Sequence, residues 1–176
     1  MKGLQKGHTG AMDLVAKTID TSLRSIRDEL FVELSSNNKL TMKKKVSCKD
    51  SKTPCQPDGG AWYYNDQLIA VFEAKKQGDS GNAIERWYKN EYVCRRINES
   101  VSYVTFCCGD GAYRDGTIGK TLDIAHDGAF NEYREGKNSC WLSKEGFRME
   151  FLRDKMRKII LERIENHDSK INKKNC

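Results

Sequence analysis

Asp58, Glu73 and Lys75 carry the most pointed chemistry in this chain. Asp58 follows Pro57 and precedes two glycines, while Glu73 and Lys75 lie just past an apolar run from Leu68 to Phe72. Residues two apart on a strand point to one face, so Glu73 and Lys75 are expected to project together, with Phe72 and Ala74 facing the other way. Two carboxylates converging with an ammonium suit a hard divalent cation held against a phosphate. Mg²⁺ takes oxygen ligands, keeps several waters and bridges to phosphoryl oxygens. It polarises a phosphodiester and lowers the pKa of a bound water, which a lysine would orient or help deprotonate. On spacing alone the pattern fits a surface ion pair between Glu73 and Lys75 equally well, with Asp58 a turn residue. The apolar run tips the balance, because a buried strand is a costly place for idle charges.

Immediately downstream stand Gln77, Gly78, Gly81 and Asn82, then Arg86 on the first turns of an expected helix. A helix N-terminus offers unpaired backbone N–H groups and a positive dipole end to phosphate. Asn and Arg are the side chains that read adenine and guanine edges in the major groove. Trp87 and Tyr88 have stacking rings, but their helical spacing from Ala83 and Ile84 reads more simply as core.

The elements that must position these groups follow from periodicity. Val15, Ile19, Leu23, Ile26, Leu30 and Leu34 step by three or four, predicting a helix over about 12–34. The lysines 43–45 read as a solvated basic connection. Pro54 and Pro57, the only prolines, mark one special turn at TPCQPDGG. Aromatic and β-branched residues flanking Asn65-Asp66 predict a hairpin turning there, whose second arm, 68–74, is a central strand covered on both faces. A helix over 82–98, a strand over 101–108, a glycine-rich loop over 109–119, a short helix around 121–126 and a strand over 139–142 follow. A last amphipathic helix spans 144–164, and the polar residues 166–176 predict a disordered tail. The expected fold is α/β: one domain, 1–176, with a central mixed β-sheet flanked by helices on both faces.

Composition limits the function classes. A chain of 176 residues is long enough to bury a core without disulfides or metal. Its apolar runs fall far short of the roughly 18 residues a membrane helix needs. The N-terminal MKGLQKGHTG has no apolar h-region and predicts no secretory signal. Seven cysteines without a C-x-x-C pair, beside three histidines, lack zinc-site spacing and point to a reducing, cytoplasmic setting, with Cys107 and Cys108 as small buried residues. The balance of 31 Lys and Arg against 25 Asp and Glu gives +6, compatible with a polyanion partner.

PDGG at 57–60, FEAKKQG at 72–78 and GNAIERWYKN at 81–90 resemble the EcoRI-like type II restriction endonucleases, within the PD-(D/E)xK nucleases. YVTFCCGD at 103–110 is similar to that family's next central strand. The likeness covers 53–110 well and the rest in general layout. It implies a restriction-endonuclease-like fold, with Asp58 and Glu73 as metal-binding acids, the Ala74 carbonyl as a further ligand and Lys75 as the catalytic lysine. It further implies a recognition segment of Gly81, Asn82, Ala83 and Arg86, in which Asn82 and Arg86 contact adenines of an AATT core. Glu85 would link recognition elements across a dimer, and Gln77 would join the catalytic and recognition parts. The family carries a DNA-embracing arm between EAK and GNAIER; here only KQGDS, 76–80, intervenes, so no outer-base reader is assigned and Arg114 and Lys120 in the glycine loop remain guesses. Glu29 or Glu33 on the first helix is a candidate for completing the metal site, although a solvent-facing role is the simpler reading. For Arg153, Arg157 and Lys158 a solvated helix face is simpler than phosphate contact, and His126 reads as a surface histidine.

The expectation is a cytoplasmic type II restriction endonuclease. It would be a homodimer using Mg²⁺ to cut double-stranded DNA at a short palindrome, leaving 5′-phosphate ends with 5′ overhangs, alongside a cognate DNA methyltransferase in the host. The rivals are a repair or junction-resolving nuclease that reads shape, and a non-catalytic DNA-binding module.

Overall fold

The computed structural model describes residues 20–36, 39–47, 54–76, 81–108, 139–142 and 149–174. Within these, the side chains of 75, 76, 81–88, 107, 108, 139–142, 151 and 172–174 lie outside the description. So do the expected glycine loop with Arg114 and Lys120, the short helix with His126, and Gln77.

The chain forms a five-stranded sheet in the order β1-β2-β3-β4-β5. The strands are β1 (Leu40–Lys43), β2 (Ala61–Tyr64), β3 (Gln67–Lys76), β4 (Ser102–Cys108) and β5 (Ser139–Leu142). The first three pair antiparallel, whereas β3, β4 and β5 run parallel. Helix α1 covers residues 20–34, α2 spans Gly81–Ile97 and α3 spans Met149–Lys174. The fold is α/β with a mixed sheet.

The hairpin turns at Asn65-Asp66 as expected. Both residues have positive φ, 48° and 63°, the backbone a two-residue primed turn requires and one that Asn and Asp tolerate best after glycine. Strand β3 is buried on both faces, because Phe72 belongs to one core and Val71 to another. The first core packs Leu23, Ile26 and Leu30 of α1 and Leu152, Met156 and Ile160 of α3 against Trp62, Phe72 and Phe106. The second packs Val93 and Cys94 of α2 against Leu68, Val71, Val101 and Tyr103. Helices therefore cover both faces, as the crossover between parallel β3 and β4 demands.

The expected elements need correction at two places. Leu40–Lys43, of which only Lys43 falls in the expected basic connection over 43–45, is edge strand β1, in which Leu40 is buried and Thr41 and Lys43 are exposed. Lys43 lies in the strand with its Nζ 4.6 Å from the Tyr63 ring centroid, while Lys44 and Lys45 are exposed as expected. The tail beyond Asn166 is helical as far as Lys174. Its polar residues are held by the sheet: Tyr64 Oη donates to Asp168 Oδ2 at 3.0 Å, and the His167 ring stands edge-on to Tyr64. No helix among the described residues is long and apolar enough to cross a membrane.

Candidate active site

The site is built by a turn that extends the sheet without being a strand. Gly59 N–H donates to Phe72 O at 2.9 Å and Phe72 N–H donates to Gly60 O at 3.2 Å, so the PDGG turn continues the pairing of β2 with β3. Both glycines are required by this packing. A Cβ on Gly59 would stand 2.6 Å from Phe72 Cβ, and Gly60 has φ +78°. Trp62 Nε1–H fixes the turn further through Gly59 O.

The same turn lays Asp58 along the edge of β3. Its Oδ2 accepts from the Ala74 N–H at 3.3 Å, taking the place a β2 residue would fill. A strand residue directs its N–H and C=O to one side, so the Ala74 carbonyl faces the same edge as Asp58. The expected approach of Asp58 to the strand carrying Glu73 and Lys75 is therefore present. Lys75 pairs in register with Cys107, two positions past Glu73; its side chain lies outside the description.

Glu73 is 5 % exposed and turned toward α2. Tyr103 Oη donates to Glu73 Oε2, and Asn90 Nδ2 reaches Oε1 at 3.4 Å. Burial, reinforced by the Glu73 charge, pushes the Tyr103 phenol well above its usual pKa, so it remains a proton donor. Asp58 is held from the opposite side. Arg24 on α1 donates to Oδ1 through Nη2 at 2.8 Å and Nε at 3.2 Å, and Arg27 Nη1 donates to the Asp58 carbonyl at 2.7 Å. The hydrogen bond to Asp58 raises the Arg24 pKa further, so the guanidinium keeps its charge. The two carboxylates thus meet β3 at adjacent residues, with their partners on different sides of the sheet.

Among the described residues no group of three or more His, Cys, Asp or Glu side chains gathers. A cation here would rest on Asp58, Glu73, the Ala74 carbonyl and water. That all-oxygen set fits Mg²⁺, which keeps several of its waters. Among the described residues, Glu29 and Glu33 bond away from this edge. Ser25 donates to Glu29, while Glu33 accepts from Arg153 Nη2 at 2.5 Å and Arg157 Nε at 2.8 Å. Arg153 and Arg157 accordingly tie α3 to α1 instead of forming a purely solvated face.

Of the residues expected in a recognition segment, Gly81, Asn82, Ala83, Glu85 and Arg86 occupy the first turns of α2, and their side chains lie outside the description. Sequence reasoning missed Arg24, Arg27, Tyr103 and Asn90. Arg27 carried a usable signal: it falls on the stripe of Leu23, Ile26 and Leu30 and is 8 % exposed, so an arginine on an apolar face had to meet a partner. In comparisons with known proteins no family model matches the sequence, no curated protein matches it and no solved structure matches its fold.

Proposed function

We propose that this chain is a Mg²⁺-dependent deoxyribonuclease of the PD-(D/E)xK type with a restriction-endonuclease-like fold. Within that type, we read it as a homodimeric type II restriction endonuclease acting on an AATT-centred palindrome. The observation that carries the reading is the Asp58 carboxylate seated on the Ala74 N–H, beside Glu73 and on the strand that bears Lys75. The PDGG, FEAKKQG and GNAIER strings support it independently of that geometry.

In this reading Asp58, Glu73 and the Ala74 carbonyl would hold the ion. When bound, Mg²⁺ polarises the phosphodiester and acidifies a water. Lys75 orients that water and offsets the charge that develops on the pentacovalent phosphorus. Water attacks phosphorus, the P–O3′ bond breaks, and the products carry a 5′-phosphate and a 3′-hydroxyl. Ion binding at Asp58 would require Arg24 to leave Oδ1, and Glu73, bonded here to Tyr103, would have to reach the Asp58 edge. The released Arg24 guanidinium is then suited to a DNA phosphate. Helix α2 begins at Gly81, five residues past β3, so Asn82 and Arg86 fall on its first turns, where backbone N–H groups face a phosphate and these side chains read adenines.

The second reading, a non-catalytic DNA-binding module, is favoured by the partners both carboxylates already have in Arg24 and Tyr103. Digestion of plasmid DNA with Mg²⁺, followed by sequencing of the fragment termini, separates the possibilities. Discrete bands with AATT overhangs are expected. A smear without defined ends assigns a shape-reading repair or junction-resolving nuclease, and intact plasmid with retained DNA binding assigns the module.

A further inference from the structure

A pocket of about 60 Å³ lies at the opposite end of β3 from Glu73. It opens where β3 begins and where the turn between α2 and β4 passes α3, with Gln67, Asn98 and Ser100 on the sheet side. Glu73 is four residues further along the strand than the lining residue Ile69, on the order of 13 Å away at strand rise. The pocket is therefore separate from the candidate active site.

Helix α3 contributes Arg163, His167 and Lys170 to the lining. Their spacing of four and three residues stacks them on one helical face. Among the described residues no carboxylate lines the pocket. Arg163 is anchored in advance: its Nε donates to Ser102 Oγ at 2.5 Å, which fixes the planar fork beside the cavity. Asn98 is locked as well, donating to Leu68 O at 2.6 Å while its Oδ1 accepts from the Ser100 N–H at 3.0 Å.

His167 lines the same wall, its ring standing edge-on to Tyr64. Its Nδ1 is buried beside Asp168, whose Oδ1 lies 3.6 Å away and whose Oδ2 accepts from Tyr64, so that nitrogen is closed to solvent and the cationic character of the cavity comes from Arg163 and Lys170.

We infer that this pocket binds a tetrahedral oxyanion of the phosphate class, held by Arg163 and Lys170 beside the His167 ring. The pocket is open to solvent on one side, so the rest of a phosphorylated ligand would extend outward from it. Arg163 supplies the fork, Lys170 a mobile point charge and Asn98 with Ser100 the rigid wall. The shared chemistry is a phosphate dianion, whether free or terminal on a nucleotide.

The inference is tested by NMR titration of the full chain with inorganic phosphate at constant pH and ionic strength. The His167 ring protons are assigned through the His167→Gln variant. Saturable shifts of these protons are expected, and Lys170→Met, an exposed change that leaves the fold intact, weakens the affinity about fivefold, as befits loss of one solvent-screened charge. Repeating the titration with a 5′-phosphorylated dinucleotide and its dephosphorylated form identifies the source: tighter binding of the phosphorylated dinucleotide assigns a terminal phosphate, and tighter binding of inorganic phosphate assigns the free ion. Shifts that grow linearly without saturation, or equal affinity in wild type and Lys170→Met, overturn the inference.

Discussion

Asp58 has more partners than a turn aspartate requires: a guanidinium, a strand N–H and, on its carbonyl, a second arginine. In the proposed site Arg24 and a divalent ion would compete for the same oxygen, so Arg24→Ala should bind Mn²⁺ about three to tenfold more tightly by calorimetry, the effect of removing one half-exposed charge. Unchanged affinity would detach Asp58 from metal binding. Tyr103 makes a different demand. Its folded pKa is raised by burial and by Glu73, so the stability it contributes is full below about 10, the ordinary tyrosine value, and is lost as pH rises through the folded value. Tyr103→Phe should cost about 1–3 kcal/mol at neutral pH, because buried Glu73 loses a donor, and should shallow the alkaline fall in Tm. At this scale the approach of Asp58 to the strand of Glu73 was legible in the sequence. Their partners were not, because Arg24 and Tyr103 reach them from elements 34 and 30 residues away.

Elements were legible where local chemistry fixed them. Asn65-Asp66 dictated the hairpin, and the apolar stretch of β3 announced burial on both faces. Asp66→Gly should be neutral or stabilise by up to about 1 kcal/mol in urea melts, since glycine adopts a positive φ without steric cost. Strand β1 was hidden by its brevity between polar flanks. The end of α3 was hidden because its order comes from the sheet. Asp168→Ala, which removes the acceptor of Tyr64, should lower stability by about 1 kcal/mol and speed hydrogen exchange in the last turns. The α1–α3 tie through Glu33 is exposed and small. Its carboxyl sits below the usual range because Arg157 and Arg153 favour the charged form, so the contribution is present above the ordinary carboxylate pKa and is lost as pH falls through the folded value. Thermal melts of Glu33→Gln should converge with wild type in acid and at high salt.

Across the whole molecule, two cores on opposite faces of one mixed sheet hold β3 rigid from both sides. That rigidity is what a metal site on its edge requires, because catalytic geometry tolerates displacements of only a fraction of an ångström. The α/β layering was readable from the alternation of strand and helix patterns. The edge turn that delivers Asp58 was readable only as a motif, and its physical reason, two glycines packed on Phe72, needed the coordinates. The central claim is that Asp58, Glu73 and Lys75 act together on a phosphodiester through a divalent ion. Its most direct test is the rate of supercoiled plasmid cleavage, measured across Mg²⁺ concentrations, for wild type and for Glu73→Ala, Asp58→Ala and Lys75→Ala. The account predicts Mg²⁺-dependent cutting by wild type and at least a hundredfold loss in each variant, with DNA binding retained by Glu73→Ala. Cleavage by Glu73→Ala at the wild-type rate, or plasmid left whole by the wild-type protein at every Mg²⁺ concentration, would contradict it.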